Sequence, residues 1–152
     1  MRRLAWVLAV LAAGVVFAGC GSDDKAANDY VDSVNRAQND FAATFDRLRG
    51  EVTSTSTPEQ DRKTLDGFKR AVDKVVSDLR AVEPPSKVKE LHGQLISELA
   101  SYGTEIDKAK RALKTGSPKT IIKAQTQLQS AITRVNRQIQ RTIDAINKKL
   151  RE

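Results

Sequence analysis

Cysteine, histidine, methionine and tryptophan occur once each in the 152 residues, as Cys20, His92, Met1 and Trp6. One cysteine excludes an internal disulfide framework and any metal site made of cysteines alone. One histidine excludes the multi-histidine zinc sites and paired Glu-x-x-His di-iron sites of helical proteins. Glu90 and His92 are two residues apart and so point to different faces of a helix. Gly-x-Ser-x-Gly, an EF-hand loop and a phosphate-cradling glycine run are all missing. No segment shows the sustained alternation of a strand, and the length suits one domain rather than the two α/β lobes of a solute-binding protein. The sequence therefore assigns no catalytic residue, no metal ligand and no cofactor, and it points away from an enzyme.

The first residues carry a different signal. Arg2 and Arg3 precede a charge-free apolar stretch, Leu4 to Val16, which is followed by Phe17-Ala18-Gly19-Cys20 and the polar run Gly21-Ser22-Asp23-Asp24-Lys25. A positive start, a short apolar core and small residues at its end read as a secretory signal peptide over residues 1–19. The apolar stretch falls short of the 17 or so residues that span a bilayer. The run ending in Cys20 resembles the lipobox of bacterial lipoproteins, with Ala18, Gly19 and Cys20 on the pattern and Phe17 where leucine is usual. That resemblance implies that Cys20 takes a thioether-linked diacylglycerol, becomes the new N-terminus and is open to a further N-acyl chain such as palmitate. It also implies a lipid-anchored protein on the extracytoplasmic face of a bacterial membrane. The alternatives are a secreted protein cut after Ala18, with a free thiol, and an uncleaved membrane anchor. Maturation at Cys20 would leave 133 residues, remove Arg2 and Arg3, and lower the formal charge from +7 to +5. Residues 20–29 read as the lipidated cysteine and a short polar tether.

The remaining chain is cut by Gly50 to Thr57, Glu83-Pro84-Pro85-Ser86 and Thr115-Gly116-Ser117-Pro118. Thr57, Pro58 and Gln60 suit a capping box, Ser117-Pro118 a capped start, Gly116 a left-handed end and Ser86 a cap after the two prolines. Between the breaks apolar residues recur at steps of three and four, for example Leu95, Leu99, Tyr102 and Ile106. Four single-stripe helices with short connections predict an all-α fold over residues 30–152. The expected arrangement is an antiparallel four-helix bundle whose third and fourth helices are long and coiled-coil-like. His92 falls at the margin of the third stripe, which predicts a partly buried histidine hydrogen-bonded to a neighbouring helix.

Charge is concentrated at the end of the chain. Residues 117–152 hold eight basic residues against two acids, a net of +6, so the rest of the mature chain sums to −1. On a helical wheel, Lys119, Lys123, Arg134, Arg137, Arg141 and Lys148 fall within roughly 50° of one direction, opposite the isoleucine-rich stripe. Such a ridge is either the solvated side of a packed helix or a surface for an anionic partner. For an anchored envelope protein that partner would be an acidic lipid, a wall polymer or an acidic protein face. Nucleic acid is not expected, because export separates the chain from it and the ridge has no stacking aromatics.

Leu79-Arg80-Ala81-Val82-Glu83-Pro84-Pro85, with His92 and Tyr102 beyond, looks like a pattern in small helical lipoproteins of Gram-positive actinobacteria, a family without an assigned function. The resemblance implies a helical bundle and nothing more specific. The expected function is that of a non-enzymatic binding or structural module of the cell envelope. The alternative is a carrier of a small apolar ligand held in a cavity between helices.

Overall fold

The computed structural model describes residues 22–51, 57–115 and 117–152. They form α1 (Ser22–Gly50), α2 (Pro58–Arg80), α3 (Lys89–Thr115) and α4 (Pro118–Arg151), with one 3-10 turn at Ser86–Val88 ahead of α3. No strand occurs among the described residues. The protein is an all-α helical bundle.

Most breaks follow the local chemistry. Thr57 Oγ1 accepts from the Gln60 amide at 3.2 Å, and Gln60 Oε1 accepts from the Thr57 amide at 2.7 Å. This capping box satisfies two donors that a helix start leaves unpaired. Ser117 caps α4 by accepting from the Thr120 amide, with Pro118 next. The left-handed end expected at Gly116 lies outside the described residues.

Two expectations are corrected. Residues 22–29 are not a tether, because α1 is already helical at Ser22. Buried Ala27 begins the stripe that Tyr30 and Val31 continue. A small alanine contributes to the core although it does not read as a hydrophobic anchor. The third and fourth helices are long, at 27 and 34 residues, the latter roughly 50 Å, and α1, at 29 residues, is longer than α3. Finally, Ser86 is not a side-chain cap. Pro85 precedes a tight turn closed by the Val88 amide on the Pro85 carbonyl, and Val88 is fully buried.

Side-chain pairs fix the antiparallel order. Tyr30 near the start of α1 meets His92 near the start of α3, and His92 meets Leu79 near the end of α2. Asp66 on α2 pairs with Lys110 on α3 at 2.5 Å, and Thr142 on α4 bonds Glu98 on α3. Lys87 reaches the Leu150 carbonyl at the end of α4. One core, including Tyr30, Val72, Leu79, Leu95, Ile106, Val135 and Ile146, draws on all four helices. Packing is densest along α1–α2, α2–α3 and α3–α4, which leaves the α1–α4 side least closed. The tip of the α3–α4 hairpin is thinly covered: between Lys110 and Ser130 no described side chain is buried.

Candidate functional site: the basic ridge of α4

The site grows from the amphipathic periodicity of α4. Its inward side supplies Ala131, Val135, Ile143, Ile146 and Leu150 to the core. Once that face is committed to α3, the residues half a turn away must face solvent. Lys119, Lys123, Arg134, Arg137, Arg141 and Lys148 are all exposed. The structure therefore brings the six residues expected from the sequence onto one outer face. Cys20, the expected lipid attachment point, lies outside the described residues.

Charge balance separates this face from the others. On α2, cations stand one turn from acids: Arg62 with Glu59 at 2.7 Å, Lys69 with Asp73 at 2.5 Å, Lys74 with Asp78 at 2.6 Å. The Arg62 hydrogen bond holds the Glu59 carboxyl below the usual carboxylate range, and the Lys110 hydrogen bond does the same for Asp66. On α4 no acid occurs from Pro118 to Ile143. Asp144, between Arg141 and Lys148, instead accepts from Gln140. Among the six, only Arg134 has an ion pair, a loose 3.8 Å contact with Glu105 on α3. That carboxylate already holds Lys108 at 2.9 Å. Lys119–Lys123 and Arg137–Arg141 are like-charge pairs at helical spacing, each costing a few tenths of a kcal/mol.

Ile122 was not singled out by the sequence pattern. It is 63% exposed, the one large exposed hydrophobic side chain among the described residues, and it stands beside Lys123 and one turn from Lys119. The signal was present in the wheel, where Ile122 falls outside the apolar cluster.

His92, expected at the margin of the third stripe as a partly buried histidine bonded to a neighbouring helix, is buried and bonded to two. It is 4% exposed. The Leu79 carbonyl can only accept, so His92 Nε2 donates to it at 2.9 Å. Nδ1 then accepts from the Tyr30 hydroxyl at 3.1 Å. Both ring nitrogens are engaged, and the ring joins three helices. Burial pushes the Tyr30 phenol up to about 12 and raises that of Tyr102 as well.

Two grooves bear on the carrier reading. One, of about 30 Å³ between α1, α3 and α4, has room for a single water beside Tyr30, Asn35 and Asn147. The other, about 180 Å³ between α1 and α2, has an apolar floor of Ala37, Phe41 and Val75 and a rim that includes Asp40, Arg70 and Lys74. Both are smaller than the roughly 300 Å³ at which small-molecule pockets begin. No cluster of three or more potential metal-ligating side chains occurs among the described residues, and none of their helices is long and apolar enough to cross a membrane. No protein-family model matches the chain, and neither a curated protein nor a solved structure resembles it beyond chance.

Proposed function

We propose that the chain is a lipid-anchored lipoprotein on the extracytoplasmic face of a bacterial membrane. There it works as a non-enzymatic binding or structural module of the cell envelope. The reading rests on one observation above all: the run Phe17-Ala18-Gly19-Cys20, with the chain's sole cysteine at the position where a lipobox needs it, follows a charge-free apolar stretch. The lipid attachment would be thioether-linked diacylglycerol on Cys20, whose two acyl chains make attachment durable where a single chain would not. The engaged nitrogens of His92 and the filled core support a role in binding or spacing rather than catalysis or carriage. The exposed ridge of α4 is the surface through which an anionic envelope component would be held.

Mass spectrometry of the N-terminal peptide from the membrane fraction tests the anchor. The expected peptide begins at Cys20 and carries diacylglycerol. An unmodified Cys20, or an N-terminus elsewhere, overturns it.

A further inference from the structure

We infer that the basic ridge of α4 lays the bundle lengthwise on the acidic lipid headgroups of the membrane that anchors it. This inference rests on the anchored-lipoprotein reading and adds the partner and the orientation.

The first argument is electrostatic. A solvated helix face is ordinarily built from mixed charges, as on α2, where acids neutralise cations one turn away. The α4 face is not built that way. From Lys119 to Arg141 it carries five cations and no acid of its own. They are spread over 22 residues, or roughly 33 Å of helix. Nearby helices leave them open, apart from the loose Arg134–Glu105 contact. An extended ridge of one sign, carried on a single helix, is complementary to a flat anionic surface.

The second argument is position. Ser22, the first residue of α1, is two residues after Cys20 in the sequence. The start of α1 and the end of α4 lie at the same end of the bundle, since Tyr30 and Val31 share a groove with Ile146 and Asn147. The ridge therefore starts at the anchored end with Lys148 and runs away from it. An upright bundle would hold Lys119 tens of ångströms above the headgroups, several times the roughly 8 Å over which charge is felt at physiological ionic strength. A recumbent bundle brings the whole ridge into range. Each cation delivered to an acidic leaflet multiplies the docked population by about fivefold. The exposed side chain of Ile122, on the ridge's flank at the far end, then has an apolar interface to enter.

The third argument concerns specificity. The ridge has no aromatic side chain, and neither groove described above is lined by any of its six cations. A lipid surface requires neither an aromatic nor a groove.

The test uses the full chain as purified from membranes, reconstituted into vesicles of phosphatidylcholine alone or of equal parts phosphatidylcholine and phosphatidylglycerol. A fluorophore is placed at Ser130→Cys, exposed at the centre of the ridge, or at Ser77→Cys, exposed on α2. Quenching by neutral acrylamide reports solvent access. Label appearing on the parent chain would mean a free Cys20 thiol. That would refute the anchor and is seen separately from the ridge result. On the acidic vesicles the label at 130 is expected to lose access by about fivefold or more relative to phosphatidylcholine, while the label at 77 does not change. Salt at about 0.5 M, where screening shortens to roughly 4 Å, is expected to restore access. So is glutamine at the six ridge positions. Equal access at 130 on both vesicles would overturn the inference, as would protection that survives the six substitutions. Protection that appears only on adding anionic wall polymer would also overturn it, in favour of the polymer.

Discussion

Tyr30 and His92 show how two side chains tie three helices. The phenol donates to Nδ1 and Nε2 donates to the Leu79 carbonyl, so no polar atom of the pair is stranded. Tyr30→Phe leaves Nδ1 buried without its donor and is expected to cost about 1–2 kcal/mol in denaturant unfolding at neutral pH. The cost has a pH signature. Folded Tyr30 titrates at about 12 because burial disfavours its phenolate, whereas an unfolded tyrosine titrates at 10.0. Above that lower value the unfolded chain sheds a proton that the folded chain keeps, so the raised value favours folding only below it. The stability gap between wild type and Tyr30→Phe is therefore expected to narrow as pH rises from 10 to 12. Unfolding curves at several alkaline pH values check this, and a constant gap would contradict it. The position of His92 beside Leu91 and Leu95 was enough to foresee burial. Its partners were not legible, because Tyr30 lies 62 residues away in the chain.

At the scale of helices, packing is set by close approach at small residues. Gly67 faces Leu48 across the α1–α2 contact, where an added Cβ would come within 2.6 Å of a leucine methyl. Gly93, in the exposed part of α3, has nothing within 4 Å. Alanine relieves about 0.8–1 kcal/mol of helix propensity at either site. Gly93→Ala is expected to stabilise by up to that amount. Gly67→Ala is expected to gain less than that, because the buried Leu48 side chain must first move away from the added Cβ. The thermal unfolding midpoint should therefore rise more for Gly93→Ala than for Gly67→Ala. Both glycines read alike in the sequence, as helix-interior residues, and only the neighbour across the interface separates them. The helices themselves were legible, because Thr57, Gln60 and Ser117 act through residues within one turn. The start of α1 was not: Ala27 is small and gains its place only by burial against other helices.

For the whole molecule, net charge and shape point the same way. The ridge's cations are exposed, meet no acid of their own helix until Asp144 and stand at repelling spacings. Replacing all six by glutamine is expected to raise stability at low salt by about 1 kcal/mol, with the gain fading as salt screens the wild-type repulsion. Paired denaturation curves at low and high salt measure it, and destabilisation would show that these residues hold the fold together. Stability under these substitutions and the solvent access of a label on the ridge are separable readouts of the same six residues.

The sequence by itself determined the helical class, the ends of two helices, the lone cysteine's place in a signal-like N-terminus and the phase of the ridge on α4. All of these depend on residues within a few turns of one another. Only the tertiary structure decided that α1 starts at Ser22, that Ser86 gives way to a buried Val88, and that His92 joins Tyr30 to Leu79. It also decided that the ridge cations stay largely unpaired, since helical phase says which way a lysine points but not which acid the next helix brings to meet it. Burial and cross-helix pairing belong to contacts between distant segments, and no local pattern encodes which distant atom will arrive.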